Sequence, residues 1–411
     1  MPGCPSGLLL DWLKPRLNSL TGRAMAPIFA DLISWCGYAL VAAALGYSII
    51  AMLRVWTFPR PRPVTGEKPP ITVLKPVAGA EPNLEQNLRS FCTQDYPEFQ
   101  ILFGVRDSRD PAIPIVERLV RDYPQRHAAL VVDPTVAGSN LKISNVLNMM
   151  PGARHDLLVV ADADCRVGPS YLTEIAGAFA DPSVGAATCL YKGTPLRPRL
   201  ADRLGAMFIN EWFLPSVLVA LLTEPLRYCF GATMAVRRED LQRIGGFEAL
   251  ASYLADDYML GHLVAGGGRK VVLVPHLVDI TVDEGSLAAL LRHELRWART
   301  MRTVRPLGYA LSGLTDAIPL TILCGAIRGF AGPDLLLIGV AVGLRVAAHY
   351  AGRARLNLSG PAMPWLVPIR DLLTFGIRVM SFTGRRVAWQ NRGFVVRPDG
   401  RMVAEVKDSA S

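Results

Sequence analysis

Several acidic positions and one arginine–tryptophan pair in this chain have the types and spacing for chemistry. Asp162-Ala163-Asp164 follows the apolar run Leu157-Leu158-Val159-Val160. Residues i and i+2 of a strand point to the same side, so both carboxylates can address one site. Two hard oxygen ligands suit Mg²⁺ or Mn²⁺, which would bridge to a substrate diphosphate; alone, the pair also reads as a solvated turn. Asp256-Asp257-Tyr258 opens a helical stretch running to Val264. A carboxylate there suits a general base for an acceptor hydroxyl, and it equally suits a helix cap. Either Asp256 caps and Asp257 works, or both line the site. His293-Glu294-Leu295-Arg296-Trp297 lies on an expected helix from about Ser286 to Arg302. Arg296, with Arg292, Arg299 and Arg302, offers donors matched to a diphosphate. Trp297 stacks on a substrate or marks a membrane interface. His276, after Val271–Val274 and Pro275, is either a further metal ligand or a strand-end residue of structural use. As bare chemistry, acids for a metal and arginines for a diphosphate suit transfer from a nucleotide-activated donor.

Such residues must be held by a scaffold, and the stretch 70–303 supplies one. Ile71–Leu74, Ile101–Val105, Leu130–Val132 and Leu157–Ala161 read as buried strands, separated by helical patterns at Leu84–Thr93, Pro111–Tyr123 and Leu141–Met149. This α/β alternation predicts an open, doubly wound sheet whose ligands bind beyond the carboxyl ends of its strands. Polar residues follow each early strand at that edge: Lys75, Arg106-Asp107, Asp133 and the Asp162–Asp164 pair. The chain has no GxGxxG and no Walker loop, which argues against dinucleotide oxidoreductases and P-loop kinases.

Composition places this domain against a membrane. Of 411 residues 51% are hydrophobic and 19% charged, against about 25% charged in ordinary soluble proteins. Residues 1–27 lead to an expected transmembrane anchor at 28–53, within which Leu32–Leu53 carries no charge. That run matches the roughly 20 residues a bilayer requires and exceeds a signal-peptide core. Residues 54–69 form a Pro- and Arg-rich linker. The zone 304–383 reads as membrane-associated helices, broken at Asp316, Pro319, Arg328, Pro333 and Asp334 and interfacial from Trp365 to Phe382. A basic tail, 384–411, completes the chain. The apolar insertion Leu204–Leu222, with Trp212 and Phe213, reads as a partly inserted helix guiding an acceptor, or as a core helix. The seven cysteines include no close pair, which argues against zinc and disulfide frameworks. The net charge of +9 suits anionic lipid and a nucleotide diphosphate; with the motifs in view, nucleic acid is not expected as a partner.

The order Asp107, Asp162-Ala163-Asp164, Asp257, Arg296-Trp297 resembles the "D, D, D, (Q/R)xxRW" pattern of the ceramide glucosyltransferase family. The similarity spans about Ile71 to Thr303 and includes Leu74-Lys75-Pro76, Leu141-Lys142-Ile143-Ser144-Asn145, Gly231-Ala232-Thr233-Met234 and Ala255-Asp256-Asp257-Tyr258. The resemblance implies a GT-A fold with a mixed sheet, a UDP-sugar donor, a Mg²⁺ or Mn²⁺ ion and inversion at the anomeric carbon. It implies Asp107 at the uracil–ribose end, with Lys75 and Lys142 helping to hold the nucleotide. Asp162 and Asp164 would hold the metal, Asp257 would be the base, and Arg296 with Trp297 would close on the diphosphate. Trp212, Phe213, Asp256 and His293 are the expected acceptor-side residues.

This sequence departs from the pattern in two places. His293 stands at the (Q/R) position, with Arg292 one residue early, about 100° around the helix. Asp-Ala-Asp-Cys stands where the eukaryotic enzymes have Asp-Ser-Gly. The run Arg292–Thr300 looks more like the bacterial hopanoid-biosynthesis branch, which implies N-acetylglucosamine transfer to bacteriohopanetetrol, with ceramide glucosylation as the alternative. The expected location is a bacterial inner membrane with a cytoplasmic catalytic domain. A processive polysaccharide synthase would need more helices and a QxxRW motif, and a non-catalytic scaffold would not need four acids in these positions.

Overall fold

The computed structural model describes residues 8–60, 66–330, 332–384, 386–389, 392–397 and 400–404, with side-chain environments given from residue 31. Eight strands form one mixed sheet: β1 (Ile71–Pro76), β2 (Phe99–Val105), β3 (Ala129–Val132), β4 (Leu157–Val160), β5 (Cys165–Arg166), β6 (Val184–Pro195), β7 (Met234–Arg237) and β8 (Lys270–Val282). Their spatial order is β3-β2-β1-β4-β7-β6-β8-β5. The first four run parallel, β7 enters antiparallel between β4 and β6, and β6 pairs parallel with β8.

Alternation along each central strand builds two cores. Ile71, Val73, Ile101, Phe103 and Val159 face one layer with Leu88, Phe91 and Val116. Leu74, Leu102, Leu158 and Val160 face the other, with Ile143, Val146 and Leu260. Burial on both faces is why these strands read as near-continuous apolar runs. Leu141–Met149 starts where expected because Asn140 caps it, accepting from the Ile143 N–H. β8 extends well past Val274: a bulge opposite Cys189–Leu190 carries it through Pro275 and His276 to Val282.

Outside the sheet lies a helical layer. Asp31–Trp56, within the helix Leu8–Trp56, and Gly332–Leu356 are long and apolar enough to cross a membrane. The pair Pro306–Thr315 and Ala317–Arg328, bent by 75°, would make a third span. The helix Leu366–Ser381 is patterned inside out. Its Arg370, Asp371 and Arg378 are buried against Glu294, Arg345 and Asp316, while Ile369, Leu372, Val379 and Met380 are exposed. The expected interfacial reading of its charges is therefore corrected: they bond to the protein rather than to headgroups, and the apolar face is the outer one.

The expected insertion helix is two helices, Leu200–Phe208 and Leu214–Ala220, joined by a π turn at Ile209–Phe213. The basic tail contains three antiparallel strands, β9 (Arg386–Trp389), β10 (Arg392–Val396) and β11 (Met402–Ala404). The Met402 N–H donates to the Ser252 carbonyl at 2.9 Å, which ties this small sheet to the main domain.

Candidate active site at the carboxyl edge of the sheet

Parallel β1, β2 and β4 deliver their following loops to one edge, and antiparallel β7 brings the turn before it to the same edge. Met234 of β7 is opposite Val160 of β4, so Gly231, three residues before Met234, lies beside Asp162, two beyond Val160. A Cβ on Gly231 would stand 2.8 Å from Asp162 Oδ2, 3.5 Å from Asp257 Oδ2 and 3.6 Å from Lys142 Nζ. Three side chains remote in sequence thus converge on one point that only a glycine leaves open. The turn is pinned from behind. Thr188 Oγ1 accepts from the Phe230 N–H at 2.8 Å and donates to the Thr233 carbonyl at 2.7 Å. The Cys229 N–H bonds to the Asp257 carbonyl at 3.2 Å.

Lys142 sits between carboxylates, 2.7 Å from Asp162 Oδ1 and 3.1 Å from Asp256 Oδ2. Burial opposes its charge, but Asp162, Asp256 and Asp257 outweigh that and raise its pKa. Asp256 is no side-chain cap: it is 5% exposed and also accepts from Asn140 Nδ2 at 3.1 Å. Asp257, in the first turn of the helix Asp256–Gly266, accepts the Tyr258 N–H on Oδ1 at 2.7 Å. Desolvation first, then the Asp256 charge, push its carboxyl up to about 6. Asp164 is likewise raised by burial and by Asp162. Glu81, which the motifs did not single out, is pushed up to about 7 by desolvation and by Asp164, Asp162 and Asp283. These are the hard oxygen donors at this edge, but among the described residues no group of three or more His, Cys, Asp or Glu side chains is arranged to hold a metal ion.

The other expected residues divide. Lys75 is fully buried, with Nζ 3.8 Å above the Phe91 ring and donating to the Asp162 carbonyl. As placed it supports the acid loop from beneath instead of meeting a nucleotide; burial lowers its pKa to about 8. Asp107 follows β2 and is exposed, accepting the Arg109 N–H at 2.9 Å, a bond that lowers its pKa. Its neighbour Asp110 accepts the Gly79 N–H, joining the loops after β1 and β2. His276 is inside β8 rather than at a strand end; its Nδ1 is 3.2 Å from Glu174 and its ring packs on Tyr171. That buried pairing favours the structural role over a metal ligand.

The helix Leu287–Val304 is capped by Ser286. His293 Nδ1 is 2.7 Å from Glu284 Oε1, and its ring lies 4.2 Å from Trp297. Trp297 stacks on Phe208, and Phe208 on Trp212. The Arg296 side chain is half-buried and makes no hydrogen bond or close ion pair among the described residues; desolvation lowers its pKa against the Glu284 charge, which raises it. Trp212 and Phe213 face opposite ways. Trp212 Nε1 donates to Thr315 Oγ1 at 2.7 Å, within the helical layer. Phe213 stacks on Tyr191 at 4.7 Å and meets Phe230, next to Gly231. Tyr191, also unforeseen, has its pKa raised by burial and by the Asp257 and Asp164 charges.

The eight-stranded mixed sheet, with its acids at the carboxyl edge, has a GT-A-like fold. The fold is similar to that of the mannosyltransferase PcManGT from Pyrobaculum calidifontis, solved with GDP-Man and Mn²⁺. The TM-score is 0.54 at 20% identity, over 84% of this chain and 99% of that one. Residues 36–402 match the model of glycosyl transferase family 21, and the chain belongs to that family. It is 26% identical to ceramide glucosyltransferase 1 of Caenorhabditis elegans over 75% of this chain and 64% of that protein. For ceramide glucosyltransferase 3 of the same organism the identity is again 26%, over 61% and 54%. The chain thus spans less than two thirds of the length of these relatives. It is also 26% identical to an N-acetylglucosaminyltransferase of Sinorhizobium fredii, over 85% of this chain and 83% of that one.

Proposed function

We propose that this protein transfers a sugar from a UDP-sugar to a hydroxyl of a membrane lipid, with inversion. The observation that carries the reading is the convergence of Asp162, Lys142 and Asp257 on Gly231, in a domain joined to helices of membrane-spanning length. Asp257 Oδ1 is committed to the Tyr258 N–H, while Oδ2 faces the gap. As the acceptor oxygen attacks the anomeric carbon, its proton passes to Asp257 Oδ2. The bond from that carbon to the diphosphate breaks, and UDP leaves with the electron pair. A pKa near 6 leaves Asp257 ionised at neutral pH yet basic enough for this transfer. Lys142 keeps Asp162 and Asp256 in place, and Arg296, whose side chain makes no ion pair at contact distance among the described residues, is available to the diphosphate. Asp162 and Asp164 would hold Mg²⁺ or Mn²⁺, which supplies charge neutralisation at the diphosphate when bound.

For the substrate pair, N-acetylglucosamine and a hopanoid polyol such as bacteriohopanetetrol are favoured. A relative matched over 85% of this chain and 83% of its own carries the name N-acetylglucosaminyltransferase, and His293 bonded to Glu284 replaces the (Q/R) position. Glucose and ceramide are the second reading, supported by the nematode relatives. We place the catalytic domain on the cytoplasmic face of a bacterial inner membrane, where UDP-sugars are made. Membranes containing the protein, given labelled UDP-GlcNAc or UDP-glucose with bacteriohopanetetrol or ceramide, test the pairing. Label is expected in the glycosylated polyol from UDP-GlcNAc. Label only in glucosylceramide would favour the second reading, and none in any lipid would overturn both.

A further inference from the structure

The strands that end the chain lean on the three elements that carry Lys142, Asp257 and Arg296. Lys142 stands in the first turn of Leu141–Met149, Asp257 in the first turn of Asp256–Gly266, and Arg296 on Leu287–Val304. The loops entering the first two helices are packed against each other. A Cβ on Gly138 would stand 2.3 Å from the Ala251 carbonyl oxygen, and the Asn140 N–H donates to that oxygen at 2.8 Å. Asn140 Nδ2 donates to the Tyr253 carbonyl at 2.8 Å and to Asp256 Oδ1 at 3.1 Å. A shift of either loop is therefore felt by both Lys142 and the acidic pair.

β11 closes over this junction with its edge away from β10. Its Met402 N–H donates to the Ser252 carbonyl at 2.9 Å, and Arg401 pairs with Tyr253 as an antiparallel bridge. Ser139 Oγ donates to the Met402 carbonyl at 3.4 Å. Arg401 Nε donates to the Tyr253 hydroxyl at 3.3 Å, with the guanidinium 5.4 Å from the ring centroid. Gly400, in the left-handed region, sits between Tyr253 and Val304: a Cβ there would be 3.6 Å from each side chain. At the root of the tail, Arg302 Nη2 donates to the Gly384 carbonyl at 2.6 Å. The tail thus bonds to both loops at its tip and to the helix of Arg296 at its root. An edge strand left alone would offer this row of polar groups to water; here it is spent on the loops that enter the site.

We propose that the terminal sheet is a clamp that holds the Lys142 and Asp257 loops in the geometry transfer needs, with Arg401 and Met402 as positioning residues. This rests on the reading of Asp257 as the base, so the test measures loop order separately from transfer. The full-length protein carries Arg401→Ala, which removes an exposed side chain, or Met402→Pro, which removes the N–H bonded to Ser252 on the strand's outer edge. Amide hydrogen exchange is followed by mass spectrometry over residues 138–143 and 252–258, beside thermal unfolding, UDP binding and kcat. Both variants are expected to unfold at the wild-type temperature and to exchange about tenfold faster in those two segments. Their kcat is expected to fall by about tenfold or more. UDP binding should change by less than about twofold, because the loop carrying Asp107 is fastened through Asp110 to Gly79. Unchanged exchange in both segments of a folded Arg401→Ala protein overturns the clamp, whatever Met402→Pro does to folding. Faster exchange with kcat unchanged overturns it too, as does a loss of UDP binding in step with kcat, which would mark general damage. If exchange rises in the variants but the wild type itself moves no sugar to lipid, the loops are clamped and the transferase reading fails.

Discussion

At the scale of single residues, the account depends on how Asp257, Lys142 and Asp162 share the space above Gly231. Gly231→Ala would place a Cβ 2.8 Å from Asp162 Oδ2, closer than real Cβ contacts come. A folded protein with transfer reduced at least tenfold is the expected outcome, read by activity beside a thermal unfolding curve; full activity would mean the acids do not meet there. Asp257 titrates near 6 because burial and Asp256 disfavour its charge. The base form is lost as pH falls through that value, so kcat/KM should drop about tenfold per pH unit below about 6. A flat profile down to pH 5 would remove Asp257 as the base. Asp162 and Asp164 stood out because they follow the apolar run Leu157–Val160, Asp257 and Arg296 because they lie in acidic and arginine–tryptophan motifs, and Lys142 only through the family resemblance. Glu81, Tyr191 and Glu284 were not, since their proximity to these acids or to His293 is created by sheet order and loop path. Lys75 was misplaced for a related reason: a strand-end lysine looks available until Phe91 and the Asp162 carbonyl are seen to enclose it.

Among the elements, the helix bearing Arg296 is held by a buried bidentate pair, Arg370 to Glu294 at 2.8 and 2.6 Å. Removing one partner strands the other in a dry site. Glu294→Gln or Arg370→Met should each lower stability by about 3–5 kcal/mol, and the double change Glu294→Leu with Arg370→Met should recover most of it. Denaturant unfolding in detergent checks this; a single variant as stable as the wild type would contradict the pairing. The first four strands and the Leu141–Met149 helix were readable from periodicity. β7 entering antiparallel, the π turn and the terminal strands were not, because pairing direction and a one-residue helical bulge leave no periodic trace. The charges of Leu366–Ser381 showed in the sequence, but their inward direction depends on Glu294, Arg345 and Asp316, which lie elsewhere in the chain.

For the whole molecule, low charge density combines two surfaces: a sheet domain with ordinary charge and a helical layer whose outer face is apolar. On the proposed reading, Asp162 and Asp164 meet the diphosphate through a cation, so EDTA should abolish transfer and Mg²⁺ or Mn²⁺ restore it. Transfer that survives chelation would remove the metal role from these acids. Transfer to lipid by Asp257 is the claim on which the rest depends. The most direct measurement incubates wild-type and Asp257→Asn membranes with labelled UDP-GlcNAc and bacteriohopanetetrol, counts label in the lipid extract, and measures UDP binding to each protein. The account predicts label in lipid with the wild type, about 10²–10⁴-fold less with Asp257→Asn, and equal UDP binding. Equal lipid labelling by the two proteins would contradict it.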